Sequence, residues 1–147
     1  MKIGFANDHR GYELKENLKS KILELGYEVK DFGTNSTESV DYPDFAFELG
    51  KAIVEKNVDF GVAICGSGIG ISIACNKVKG IRCAKVSNKE EAAITRIDNN
   101  SNIVAFSEKI TEDEALEIVK TFIETESSTE EKHIRRVNKI IEYEGKN

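Results

Sequence analysis

Cysteine is sparse in this chain and never paired: Cys65, Cys75 and Cys83 form no Cys-x-x-Cys couple, and their odd number leaves one over. A disulfide framework is excluded, and a reducing, cytoplasmic setting is expected. Histidine is sparser still. His9 and His133 lie far apart with no cysteine pair to join them, so the sequence offers no ligand set for a structural or catalytic metal. Long apolar runs are missing, which excludes a membrane span. Met1-Lys2-Ile3 leads straight into a strand pattern, so no signal peptide is expected. Lysine and arginine number 21 against 26 aspartates and glutamates, a net charge of −5. No global basic field exists to recruit nucleic acid, so an anionic ligand must be held by a local cluster.

What is present is a regular alternation of strand-like and helix-like segments through 147 residues, enough for one domain, 1–147, with its own core. Residues 2–7 read as a buried strand. Leu14, Leu18, Ile22 and Leu25 then recur at helical spacing, closed by Gly26. Strands follow at 27–32, 59–64, 81–86 and 102–106. Between them, Pro43 opens a helix carrying Phe45, Leu49, Ile53 and Val54 on one stripe, and a helix over 71–78 follows a glycine loop. Ser87-x-x-Glu90 and Thr111-x-x-Glu114 read as capping boxes, and a last helix starts near Ser128-x-x-Glu131. That long, charged helix over 130–144 carries an apolar stripe of Ile134, Val137, Ile140 and Ile141, fit either for its own domain or for a partner subunit. Short connections between strand and helix predict a parallel five-stranded sheet covered on both faces. Ligands of such sheets gather at the carboxyl ends of the strands. Three segments are expected to meet there: Asn7-Asp8-His9-Arg10, the loop 65–70, and Arg96-Ile97-Asp98-Asn99-Asn100.

The loop Cys65-Gly66-Ser67-Gly68-Ile69-Gly70 is the most informative segment. It sits where a strand hands over to a helix, whose first N–H groups lack partners within the helix and can hold an anion. The positive end of the helix also favours a thiolate, so Cys65 is placed to act as a nucleophile or base, whereas Cys75 and Cys83 read as small buried hydrophobes. Glycines alone would mark only a tight turn. A dinucleotide fingerprint should follow the first strand, where Asn7-Asp8-His9 stands instead, and no Gly-Lys-Ser/Thr triplet is present. Lys132 and Arg136, four apart in Lys132-His133-Ile134-Arg135-Arg136, project from one side of a helix and can grip one phosphate; the alternative is a charged, solvated face.

Taken with Asp31-Phe32-Gly33-Thr34, Asp41-Tyr42-Pro43-Asp44 and the segment Ile73-Ala74-x-Asn76-Lys77-Val78-x-Gly80-Ile81-Arg82, these motifs resemble the ribose-5-phosphate isomerase B family, which includes galactose-6-phosphate isomerase subunits. The resemblance implies a Rossmann-like three-layer fold and metal-free, cofactor-free isomerisation of a phosphorylated sugar in the pentose phosphate pathway. It also implies a homodimer or dimer of dimers whose active sites are shared between subunits. Cys65 would move a proton from C2 to C1 of the open-chain aldose through a cis-enediolate. Ser67 and the backbone of Gly66, Gly68, Ile69 and Gly70 would hold the developing oxyanion. Asp8 would bind sugar hydroxyls, His9 the phosphate or ring oxygen, Asn99 the reacting end, and Lys109, Lys132 and Arg136 the phosphate.

Three positions depart from that pattern. Asp98 stands where a histidine credited with ring opening is usual, and Lys109 and Lys132 replace arginine. A carboxylate accepts the anomeric proton but does not protonate the ring oxygen at its ordinary pKa, so Asp98 is expected to act as the base, with His9 or solvent supplying the acid. Lysine offers a point charge in place of a fork. Two other readings stay open: an isomerase of a six-carbon sugar phosphate such as allose or galactose 6-phosphate, and a non-catalytic phosphometabolite-binding module, for which a thiol at 65 has no use.

Overall fold

The computed structural model describes residues 1–146 and contains the five predicted strands: β1 (Lys2–Asn7), β2 (Glu28–Asp31), β3 (Phe60–Cys65), β4 (Cys83–Lys85) and β5 (Ile103–Ser107). Six helices connect or follow them: α1 (Tyr12–Glu24), α2 (Tyr42–Val54), α3 (Ile69–Cys75), α4 (Lys89–Asn99), α5 (Glu112–Glu124) and α6 (Glu131–Gly145). All pairings are parallel, in the order β2-β1-β3-β5-β4. From β1 the chain turns to one side to make β2, and from β3 to the other side toward β4 and β5. The gap between β1 and β3 is therefore the point where the winding reverses, the crevice in which sheets of this kind bind ligands.

Strand alternation sorts the core into two layers of different thickness. Ile3, Phe5, Val62, Ile64, Val104 and Phe106 face α1, α4 and α5, while Ala6, Ala63, Cys65 and Ala105 face α2 and α3. The small residues let α2 approach closely: a Cβ on Gly4 would lie 2.7 Å from Cδ1 of Leu49. Edge strands β2 and β4 are shorter than their sequence patterns, although Phe32 and Val86 just beyond them still donate to the Phe5 and Ala105 carbonyls.

The helix starts differ in detail from the sequence reading. At α4 the box slides by one residue: Asn88 caps the Glu91 N–H, and the Glu91 carboxylate accepts the Ser87 N–H. Thr111 caps α5 as expected, through the Glu114 N–H. Ser128 makes no box. Its hydroxyl accepts the Glu130 N–H, and α6 begins after Glu130 without a side-chain cap. The helix of the glycine loop starts at Ile69 and ends at Cys75, two residues early at the front and three at the back.

The segment Asp31-Phe32-Gly33-Thr34 acts as a brace beside the crevice. Lys15, on α1 and with its side chain 0% exposed, places Nζ 2.9 Å from an Asp31 oxygen and 2.6 Å from the Thr34 carbonyl; Lys19 adds a contact of 2.8 Å to Asp31. Burial opposes the Asp31 carboxylate, but hydrogen bonds from Lys19, Lys15 and the Gly33 N–H outweigh it and hold the carboxyl below its ordinary range. A depressed folded pKa contributes stability above the unfolded value, roughly 3.9, and loses it as pH falls through the folded value. Asp31→Asn removes the nearer counter-charge of buried Lys15 and leaves it only the longer contact of 3.7 Å to Glu16. A half-buried pair of this kind is worth roughly 2 kcal/mol, which for this size lowers Tm by about 6 °C. Thermal melts of both proteins should show that gap at neutral pH and its progressive loss as pH falls below about 4.

Candidate active site

At the carboxyl end of β3, alternation turns Cys65 toward α2 and α3, where it packs beside Ala6, Ala63, Ile71 and Ala74. Its sulfur accepts the Gly68 N–H at 3.2 Å, so the loop that leads into α3 closes over the thiol. Gly68 makes this closure possible. Its φ is +78°, and a Cβ there would stand 2.6 Å from the Phe106 carbonyl carbon. The Ser67 hydroxyl accepts the Ile69 N–H at 3.1 Å and keeps its own proton to donate. Two of the loop amides thus brace Cys65 and Ser67. The neighbouring strand end is tied in: Ser107 donates to the Gly66 carbonyl at 2.6 Å, and the Glu108 N–H donates to the Cys65 carbonyl at 2.9 Å. Cys65 as a residue is 4% exposed, with Gly66 and the exposed Ser67 on its solvent side.

Across the crevice, the Asp8 N–H donates to the Ile64 carbonyl, which draws the end of β1 against β3. Asp8 Oδ1 accepts the N–H groups of Arg10 and Gly11 and caps a 3-10 turn, His9–Gly11. His9 Nδ1 accepts the Val40 N–H at 3.2 Å, which fixes the ring as the tautomer that presents Nε2–H outward. Asp8, His9, Cys65 and the loop to Gly70 are brought together, with Lys109 exposed on the loop after β5.

Asp98 and Asn99 are not brought there. They end α4 and so precede β5, which puts them at the amino edge of the sheet. The Asn99 carbonyl accepts from Arg82, just ahead of β4, and the Asn102 carbonyl accepts the Gly61 N–H at the start of β3. The length of β3, roughly 16 Å at the rise of a strand, separates them from Cys65 of the same chain. The sequence expectation of three converging segments is corrected accordingly: a segment leading into a parallel strand lies at the edge opposite to one leaving it. Lys132 and Arg136 are exposed on α6, which packs beside α4, with His133 Nε2 3.5 Å from Asp98 Oδ1. A cavity of about 610 Å³ opens at this amino edge, lined in part by Asn76, Arg82, Cys83, Asn99 and Tyr143.

Sequence reasoning placed Arg10 at the carboxyl edge and quoted Tyr42 but gave neither a contact with the glycine loop. Arg10 packs on Gly66 with its guanidinium 3.5 Å from a Glu108 oxygen. The Tyr42 ring lies against Gly70, where a Cβ would come within 2.7 Å of it. Arg10 was visible as the continuation of Asp8-His9, and Tyr42 as the residue before Pro43, but nothing in their spacing signalled a contact with the glycine loop. Among the described residues no three metal-ligating side chains converge, and no helix is long and apolar enough to cross a membrane.

Comparison with known proteins matches this architecture throughout. The profile of the family described as ribose/galactose isomerase aligns with residues 3–140. The ribose-5-phosphate isomerase B of Escherichia coli is 40% identical over 123 residues, covering 84% of this chain and 80% of that protein. A solved ribose-5-phosphate isomerase B of Clostridium thermocellum superposes with a TM-score of 0.95 at 46% identity, covering 99% of both chains. The Mycoplasma genitalium enzyme, solved with bound ribulose-5-phosphate, superposes with a TM-score of 0.91 at 36% identity over 99% of this chain and 97% of that one. A five-stranded parallel sheet, a cysteine-glycine loop at its winding reversal and similarity along nearly the whole length lead to one conclusion: the chain belongs to the ribose/galactose isomerase family.

Proposed function

We infer that the protein interconverts ribose 5-phosphate and ribulose 5-phosphate as an aldose–ketose isomerase. The observation that carries this is the intact loop 65–70 at the β1–β3 crevice, in a chain similar over 99% of its length to an enzyme solved with the ketose product bound. In the forward direction the Cys65 thiolate takes the C2 proton of the open-chain aldose. The electron pair forms the C1–C2 double bond, and the carbonyl π electrons move to O1. The O2 hydroxyl proton passes to O1, and Cys65 then returns its own proton to C1 as the resulting O2 enolate collapses to the C2 ketone. Ser67 Oγ–H and loop amides offset the charge that develops on oxygen, where one preorganised donor is worth ~3 kcal/mol. Asp8 and the outward Nε2–H of His9 hold the sugar on the β1 side.

Two copies build each site in this reading. Cys65 and Asn99 occupy opposite edges of one sheet, so Asp98, Asn99, Lys132 and Arg136 act on the substrate held by a second chain's Cys65. The apolar stripe of α6 supports association: Ile134, Ile140 and Ile141 are 46, 50 and 45% exposed, and only Val137 of the stripe is buried. Covering three isoleucines at roughly 1.5–3 kcal/mol per fully buried side chain favours a homodimer.

Incubating the purified protein with ribose 5-phosphate should yield ketopentose phosphate; absence of any ketose would reject the reading. The ribose/galactose scope of the family makes kcat/KM on a five-carbon against a six-carbon substrate the companion measurement. Asp98 is assigned to ring opening, as the base for the anomeric hydroxyl. Asp98→Ala should lower kcat for ribose 5-phosphate about 100-fold, the lower range for a positioned proton acceptor. Unchanged turnover would remove Asp98 from the mechanism.

A further inference from the structure

Arg10 belongs to no role assigned above, yet the fold fixes it at the rim of the reacting loop. The strand end that carries it is drawn to β3 by the Asp8 N–H to Ile64 carbonyl bond, and its own N–H is capped by Asp8 Oδ1 at 3.0 Å. The guanidinium lies over Gly66, with Cδ and Nε 3.3 Å from where a Cβ would stand. Any side chain at 66 would push it away. Its remaining partner is Glu108, on the segment that bonds the Cys65 carbonyl from the other side, through one contact of 3.5 Å. That is the outer limit of a hydrogen bond, on a side chain 54% exposed. A fork of five donors is left mostly unused beside a loop read as an anion site.

We propose that Arg10 is a phosphate-binding residue, which leaves Glu108 to grip the substrate's phosphate with its fork. The assignment rests on the isomerase reading of the site. Its chemistry is that of exchange between partners: a phosphate dianion offers two oxygens to the planar guanidinium, whereas Glu108 makes a single long contact. Arg10 and the exposed Lys109 follow β1 and β5, the two strands that flank β3, so two cations approach the mouth of the loop from both sides. The other candidate phosphate partners of this edge, the neutral His9 ring and the Lys109 ammonium, offer no fork. Arg82 and Arg96 are committed to carbonyls at the end of α4 and the start of β5.

Titrating inorganic phosphate into the full chain tests this without reference to turnover. Arg10→Ala should weaken phosphate binding about ten-fold and Arg10→Lys about three-fold, since lysine keeps charge but loses the fork. Glu108→Gln should tighten it several-fold by removing the competitor. With ribose 5-phosphate, Arg10→Ala should raise KM about ten-fold and leave kcat within about two-fold, the signature of lost uniform binding. Phosphate affinity unchanged in Arg10→Ala, or weakened in Glu108→Gln, overturns the assignment. So does a fall in kcat at constant KM, which would mean that Arg10 only braces Gly66. If Arg10→Ala fails to fold, Arg10→Lys and Glu108→Gln decide. A parent protein that binds phosphate through Arg10 but makes no ketose sinks the isomerase reading and not this one.

Discussion

Mixing two inactive proteins should restore activity. In the proposed shared-site reading, Cys65→Ser would remove the proton carrier at the carboxyl edge and Arg136→Ala the phosphate grip on α6, so each alone would disable both sites of a symmetric dimer. In a mixed dimer one site receives both defects and the other receives neither, because the two residues reach one substrate from different chains. Random exchange makes about half the dimers mixed, each with one intact site, so the mixture should recover about a quarter of the parent rate. The measurement is kcat after co-refolding or co-expression of differently tagged chains. Should both residues act on one substrate within one chain, mixing would recover nothing, because no chain would then hold an intact pair. The geometry behind the expectation is the six-residue length of β3, with Cys65 at its end and the Asn102 carbonyl bonded to Gly61 near its beginning.

That separation also marks where the sequence stopped being readable. Apolar runs, helical spacing and capping signals located the five strands and six α-helices but not the 3-10 turn His9–Gly11, and the parallel sheet followed from strand–helix alternation. Which edge a loop occupies depends instead on chain direction through the sheet. Arg96-Ile97-Asp98-Asn99-Asn100 was grouped with Cys65 on its residue types, yet its place ahead of β5 puts it on the opposite edge. Caps were legible only to within a residue. At Ser87-Asn88 two adjacent residues can both serve, and the register is settled by packing of Ala92 beneath them in the core. The contacts of Arg10 were illegible for another reason. Its position is set by tertiary contacts to Gly66 and Glu108, 56 and 98 residues further on, and no local periodicity encodes contacts of that range.

Replacing the Cys65 sulfur by oxygen should cost more activity than any other single change in the molecule. Cys65→Ser keeps the shape of the side chain and its capacity to accept the Gly68 N–H, but an alcohol gives up a proton far less readily than a thiol. The expected loss in kcat is roughly 10²–10⁴-fold, the range for a positioned general base, with KM for ribose 5-phosphate changed little. The opposing account is physical and specific. Cys65 is 4% exposed and packs among alanines and Ile71, as a structural small hydrophobe would. The two accounts predict opposite turnover per folded molecule. A packing cysteine exchanged for serine leaves that turnover intact, and a base exchanged for serine abolishes it. The change in Tm is common to both, a hydroxyl in an apolar layer whose oxygen still accepts the Gly68 N–H. Phosphate binding separates either outcome from simple collapse of the loop, since the cations of the site lie on other segments than Cys65 and should retain their affinity in the serine variant.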